Sequence, residues 1–318
     1  MTEQDAKDLK AAMKGMGTDE DKIIKIVANR TQKQRVAIKD FYQKLYNKDL
    51  IKDLKGELNG KLETAIDALF KDPIEYDVET LKKSMKGAGT DEDTLIELLI
   101  SRPPEVLEVI KKEYKNKYNK ELADDVKSDI KGDLQKLLLP IVNGTRSKNP
   151  NPNVEECKKY AEELYNAGEK KLGTNEGKFV EIFSKVSTPE LICISKEYNK
   201  AHGKNILELI DKEFSGNMKK TLRTIVYATI SPSEYFATRV KEAIKGFGTD
   251  DSLLMRIIIT RDEIDMNNIK QYYKQLYKKD MVEDIKGDTS GDYRNLLVKL
   301  ANWNTNTNDK LDKWLENI

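Results

Sequence analysis

One short stretch, present four times, constrains this chain more than any other feature. Met13-Lys14-Gly15-Met16-Gly17-Thr18 returns as Met85-Lys86-Gly87-Ala88-Gly89-Thr90, as the weaker Lys170-Lys171-Leu172-Gly173-Thr174, and as Ile244-Lys245-Gly246-Phe247-Gly248-Thr249. The threonines at 18, 90, 174 and 249 stand 72, 84 and 75 residues apart. A fixed period of this size is the mark of one structural unit repeated along the chain. A length of 318 residues would otherwise suggest about two domains; the repeat overrides that expectation.

Within each copy, apolar residues fall at intervals of three and four, and no alternating, β-branched runs bounded by turns occur, so the fold class is all-α. In the first copy, Leu9, Ala12 and Met13 belong to a helix that stops at the glycines. Thr18 reads as the N-cap of a second helix, with the acidic turn Asp19-Glu20-Asp21 ahead of Ile23, Ile24, Ile26 and Val27. Three more apolar segments bring the count to about five helices. The repeats are expected at 1–72, 73–143, 154–230 and 231–302. The Gly-Thr-Arg-Ser-Lys-Asn-Pro-Asn-Pro composition at 144–153 is the principal linker, dividing the repeats two and two. A tail at 303–318 carries Leu311, Trp314, Leu315 and Ile318 at helical spacing.

A second constant lies 39 residues beyond each threonine, where Glu57, Asp129, Glu213 and Asp288 stand, all carboxylates, each followed three residues later by Gly60, Gly132, Gly216 or Gly291. A glycine-rich helix exit turns several carbonyls into one space, beside the unpaired carbonyls of the helix end. A carboxylate brought alongside adds a charged pair of oxygens. An all-oxygen, flexible site of this kind suits calcium, which takes six to eight such ligands. Three carbonyls and a bidentate carboxylate supply about five, and one formal negative charge predicts weak binding, about 0.1–1 mM. The open positions invite water or an anionic ligand. At each loop tip the residue is apolar (Met16, Ala88, Leu172 or Phe247), with Lys14, Lys86, Lys171 or Lys245 close by. That combination fits an acyl boundary and anionic headgroups, with four weak contacts adding by avidity. A lone Gly-x-Gly-Thr would merely end a helix; repetition at constant distance is what argues for a site.

Composition narrows the alternatives. The 56 basic and 55 acidic residues nearly cancel, so no whole-protein field points to nucleic acid. Cys157 and Cys193 are the two cysteines, without metal-ligand spacing, and read as inert core thiols of a reducing cytosol. The charged start Met1-Thr2-Glu3-Gln4-Asp5 is not a secretory signal, and no apolar run approaches the roughly 20 residues of a membrane span. There is no P-loop and no nucleophile elbow, so no enzyme is expected. The lone His202 takes the place of Tyr46, Tyr118 and Tyr277 and reads as a core substitution.

These loops, the paired acids and the pattern of each repeat resemble the annexins over nearly the whole chain. The resemblance implies a curved all-α disc of four five-helix repeats that attaches reversibly, through calcium, to acidic phospholipids such as phosphatidylserine. It places calcium ligands on the backbone oxygens of Met13, Gly15 and Gly17 with the Glu57 side chain. In repeat II they fall on Met85, Gly87, Gly89 and Asp129, and in repeat IV on Ile244, Gly246, Gly248 and Asp288. In repeat III, Lys171 replaces the first motif glycine, leaving Lys171, Gly173 and Glu213, with Gly168 as a further oxygen. Secondary calcium positions near Thr18 and Glu20 are also implied. The expected protein is cytoplasmic, peripheral on membranes when calcium rises, monomeric in solution and open to self-association on the membrane. The first repeat begins almost at Met1, so partner binding through a long head is not expected. Arg30, Arg102 and Arg261 follow their threonines by 12 residues where repeat III has Val186, so a structural arginine is missing there. The competing reading is a calcium-independent helical-repeat scaffold for protein partners, which would not need four paired carboxylates.

Overall fold

Glycines that end each first helix and acidic turns that open the second ones cut the chain into short helices. The computed structural model describes residues 2–15, 17–87, 89–170, 172–246 and 248–303, and among them it has twenty helices and no strand. Repeat I comprises α1 (Thr2–Ala12), α2 (Glu20–Val27), α3 (Gln32–Tyr46), α4 (Leu50–Glu57) and α5 (Gly60–Leu69). Repeat II comprises α6 (Pro73–Ser84), α7 (Glu92–Ser101), α8 (Pro104–Tyr118), α9 (Leu122–Asp129) and α10 (Gly132–Val142). Repeat III has α11 (Val154–Ala167), α12 (Glu176–Lys185), α13 (Thr188–His202), α14 (Ile206–Glu213) and α15 (Gly216–Ile230). Repeat IV has α16 (Pro232–Ala243), α17 (Asp251–Arg261), α18 (Met266–Tyr277), α19 (Met281–Asp288) and α20 (Gly291–Ala301). The tail beyond Trp303, with Trp314, lies outside the described residues, as do Met16, Ala88, Lys171 and Phe247.

Helices as short as the eight residues of α2 or α4 do not persist alone in water. Packing holds them: Ile23, Ile24, Val27, Ile38, Tyr42, Leu54, Ile66 and Leu69 of repeat I are all buried, at about 1.5–3 kcal/mol for each large side chain taken from water.

Two compact units result, one from residues 1–76 with the chain from Phe236 onward, the other from Asp77–Tyr235. The grouping is therefore repeat I with IV and repeat II with III, not the two-and-two division at 144–153 expected from composition. That linker is non-helical as expected, but it runs inside the second unit. Its middle is stitched to repeat III, with Ser147 N donating to Lys185 O at 2.7 Å and Ser187 Oγ to Asn149 O at 2.8 Å. In the first unit, α2 and α5 of repeat I pack on α20 of repeat IV, and α5 also on α17. A buried ion pair joins the same two repeats: Arg35 on α3 lies 3.3 Å from Asp262, just past α17. Burial pushes the Asp262 carboxyl up to about 7 against the pull of Arg35.

Repeats I, II and IV share a polar knot that repeat III lacks. Tyr42, Tyr114 and Tyr273 each donate at 2.6 Å to Asp53, Asp125 and Asp284. The same carboxylates accept from Lys10, Lys82 and Lys241, whose ammonium groups lie over the tyrosine rings. Lys82 and Tyr114 hold the Asp125 carboxyl below the usual range in spite of its burial. In repeat III the corresponding residues are Tyr165 for the lysine and Leu209 for the aspartate. His202 fills the expected tyrosine position, stacked on Tyr165 with ring centroids 4.0 Å apart. Its Nε2 is 3.0 Å from Glu162 Oε1, close but not aligned as a hydrogen bond. The Tyr198 hydroxyl, aligned with those of Tyr42, Tyr114 and Tyr273, is buried with no hydrogen-bond partner among the described residues.

A measurable contrast follows. Tyr114→Phe should cost about 1.5–3 kcal/mol, the range for a hydrogen bond to a charged group. Tyr198→Phe should leave stability unchanged or raise it, because it removes a buried polar atom that has no partner. Urea denaturation of the two variants checks this, and equal losses would refute the assignment.

Candidate functional site

Each first helix ends in a loop that one backbone bond closes at its base. Asp19 N donates to Ala12 O at 2.9 Å, while Asp91 N to Ser84 O, Asn175 N to Ala167 O and Asp250 N to Ala243 O are each 2.8 Å. Six residues are pinched off in repeats I, II and IV, but seven (168–174) in repeat III. The extra residue lies ahead of the Gly-Thr end that all four copies share.

Gly15 and Gly17 take φ of +119° and +102°, a region that side-chain-bearing residues rarely enter. A Cβ at either would meet nothing within 4 Å, so backbone conformation, not space, requires glycine there. Repeats II and IV repeat this geometry, and Gly173 keeps it at +84°. Gly168 is constrained differently: a Cβ would lie 3.0 Å from Leu209 Cδ1 and 3.1 Å from Glu213 Cγ, so the chain presses its bare backbone against the Glu213 side chain.

The four carboxylates are the last residues of the fourth helices, α4, α9, α14 and α19. An acid at a helix C-terminus stands against the negative end of the helix dipole. Four repeats break the same local rule at the same place, which is the behaviour of a functional position. The turn that follows is made by Gly60, Gly132, Gly216 and Gly291, with φ of +60°, +65°, +55° and +61°.

The loops and the distant carboxylates meet in every repeat. Thr18 Oγ1 donates to Glu57 Oε2 at 2.8 Å, Thr174 Oγ1 to Glu213 Oε2 at 2.7 Å, and Thr249 Oγ1 to Asp288 Oδ2 at 2.6 Å. Thr90 makes the same bond to Asp129. This corrects the reading of Thr18 as an N-cap. The caps are Asp19, Asp91 and Asp250, whose carboxylates accept from Lys22, Thr94 and Leu253 backbone N–H groups. The threonine hydroxyls are instead spent on holding the carboxylates, a role already implicit in the constant count of 39 from each threonine.

Met13, Gly15, Gly17 and Glu57 thus belong to one loop-and-acid assembly, as do Met85, Gly87, Gly89 and Asp129, and Ile244, Gly246, Gly248 and Asp288. In repeat III, Gly168 lies against the Glu213 side chain and Thr174, next to Gly173, bonds its carboxylate, while Lys171 lies outside the described residues. Glu169 of this loop turns back to pair with Lys204 at 3.0 Å, its side chain almost fully buried. No three His, Cys, Asp or Glu side chains gather as a metal cluster among the described residues. Each assembly offers only oxygen donors, one carboxylate beside a run of carbonyl-bearing loop, and a donor set of that chemistry fits a hard cation such as calcium.

The arginines prove structural where they occur. Arg30 makes two bonds to Asp5, at 2.7 and 2.8 Å, and Arg102 two to Asp77, at 2.5 and 2.8 Å. Arg261 bonds Asp265 at 2.7 Å and lies over the Phe236 ring. Repeat III has Tyr160 and Val186 at these places, and Arg146 of the linker donates to the Val186 carbonyl at 3.0 Å.

Fold and loops define a helical-repeat protein that presents four carbonyl-and-carboxylate loops, one per repeat. The annexin family model matches residues 4–69, 76–141, 159–225 and 235–300, and the chain belongs to that family. It is 42% identical to human annexin A7 over 298 residues, which is 94% of this chain and 61% of that protein's length. Annexin III is a structural neighbour with TM-score 0.88 and 39% identity, covering 96% of this chain and 95% of that one. Calcium-bound annexin (Sm)1 matches with TM-score 0.82 and 30% identity, over 96% of this chain and 91% of that one.

Proposed function

We propose that this protein binds acidic phospholipid membranes reversibly and in a calcium-dependent way, through its four loop-and-carboxylate sites. The observation that carries the reading is the bond from each loop threonine to the acid 39 residues away, which assembles the same oxygen-rich site four times. Calcium is held by the loop carbonyls of residues 13, 15 and 17 with Glu57, by their counterparts with Asp129 and Asp288, and in repeat III by residues 168, 171 and 173 with Glu213. The bound cation supplies the positive charge that draws in a lipid phosphate. Leu172, fully exposed at the third loop tip, meets the acyl boundary, and Lys14, Lys86 and Lys245, all exposed, meet anionic headgroups. The calcium-bound state of the related annexin (Sm)1 supports the choice of metal. No helix among the described residues is long and apolar enough to cross a membrane, and attachment is peripheral. The protein acts by binding, not catalysis, moving from the cytoplasm to the membrane as calcium rises.

Sedimentation with phosphatidylserine vesicles tests this. The protein should pellet with calcium and return to the supernatant when a chelator is added. Equal pelleting under both conditions, or none, would favour the scaffold reading.

A further inference from the structure

The chain contains two Asn-Gly pairs, Asn59-Gly60 and Asn143-Gly144. An asparagine side chain is most open to attack by the backbone when glycine follows, because a glycine nitrogen has no neighbouring Cβ to obstruct the approach and its backbone turns freely. The structure separates the two pairs. Asn143 caps α10 in helical conformation, with φ −76° and ψ −7°, and the Gly144 nitrogen is engaged, donating to Ile141 O at 3.1 Å. A Cβ at Gly144 would lie 3.0 Å from Glu108 Oε1, so that pair is also hemmed in. Asn59 instead stands extended at the start of α5, with φ −143° and ψ 165°, and its side chain makes no cap bond. Asn59 and Gly60 are both exposed, and nothing lies within 4 Å of a Cβ placed on Gly60. As the first amide of a helix, Gly60 N has no intrahelical acceptor, and it donates to no other backbone group among the described residues. The other repeats have Lys131, Ser215 and Ser290 at this place, so the reactive pair belongs to repeat I.

We propose that Asn59 is a modification site, deamidating as the protein ages to aspartate and isoaspartate. The Gly60 nitrogen gives its proton to solvent base and attacks Asn59 Cγ. The N–Cγ bond forms, the Cγ–Nδ2 bond breaks, and Nδ2 leaves with a proton as ammonia, closing a five-membered succinimide. Water then opens the ring. Cleavage of the N–Cγ bond gives aspartate, and cleavage of the bond from that nitrogen to the Asn59 main-chain carbonyl carbon gives isoaspartate. One water enters and one ammonia leaves, so no oxidant or reductant is needed. Isoaspartate routes the main chain through the former side chain and adds one carbon between Leu58 and Gly60. The Asn59 carbonyl that accepts the first bond of α5, from Glu63 N at 3.3 Å, then leaves the main chain. Two residues further on, Lys61 ties α5 to α17 through Asp251 at 2.5 Å, so the start of α5 and its hold on repeat IV loosen together. The modification stands whether or not the loops hold calcium.

The test ages the full chain in mildly alkaline buffer with chelator, then follows the peptides around Asn59 and Asn143 by mass spectrometry. The Asn59 peptide should gain the mass difference between a hydroxyl and an amino group and separate into aspartate and isoaspartate forms, the second a substrate for isoaspartyl methyltransferase. Asn59 should convert at least about fivefold faster than Asn143, the factor supplied by the hydrogen bond that Gly144 N alone retains. Aged wild-type protein should melt at a lower temperature than fresh protein. Asn59→Ser, which copies Ser215 and Ser290, should remove the modified peptide and most of that loss. Wild-type protein that keeps Asn59 intact, or that converts Asn143 first, would overturn the proposal whatever the variant does. Converted protein that melts like fresh protein would overturn the loosening of α5.

Discussion

Replacing Glu57, Asp129, Glu213 and Asp288 together by Gln, Asn, Gln and Asn will severely weaken calcium-dependent vesicle binding while leaving the helices intact. Each site is weak by itself, and four on one molecule multiply through avidity, so the calcium needed for half-maximal pelleting should rise by at least about 100-fold. The same change should not harm the calcium-free fold. Each acid ends a helix, where its charge opposes the dipole, so the amides should stabilise the apo protein by a few tenths of a kcal/mol per site. An amide oxygen can still accept the threonine bond. Circular dichroism and thermal melts in chelator, set beside pelleting in calcium, measure both effects. Unchanged calcium sensitivity would refute the ligand assignment, and a destabilised apo protein would show that the carboxylates are structural.

Arg102→Ala should be among the most destabilising single changes, costing about 3–5 kcal/mol, because it strands a buried carboxylate. Arg102 and Asp77 have side chains only 6% and 5% exposed and are joined by two hydrogen bonds. Removing both partners leaves no stranded Asp77 carboxylate, so Asp77→Ala/Arg102→Ala should be more stable than Arg102→Ala alone. Repeat III supports this from within the molecule, since Tyr160 and Val186 occupy the two places without any such pair. Chemical denaturation of the single and double variants decides it: a single-variant loss under about 1 kcal/mol would mean the pair is solvated.

Much of this protein was legible in its sequence because a repeat allows one pattern to be checked against three others. The helical period placed the helices, and the count of 39 joined loop to acid across most of a repeat. What failed did so for physical reasons. Thr18 looked like a cap because threonine ahead of acids usually is one; only the tertiary bond to Glu57 shows the hydroxyl in another use. The seventh residue of the third loop could not be located without knowing that Ala167 closes it. The partnership of repeat I with repeat IV was also invisible, because all four repeats carry the same periodicity and nothing local says which apolar faces meet.

That partnership has a consequence for how the chain is made. Repeats II and III are contiguous, so their shared unit can close once residue 235 has been synthesised. Repeat I emerges first, yet its cover, α17 and α20, is made last. At about 5–20 residues per second, the gap between completing α5 and completing α20 is roughly 10 to 45 seconds. Throughout that interval the face of repeat I that packs on α17 and α20 has no cover, so the order of biosynthesis leaves apolar surface open on a nascent chain.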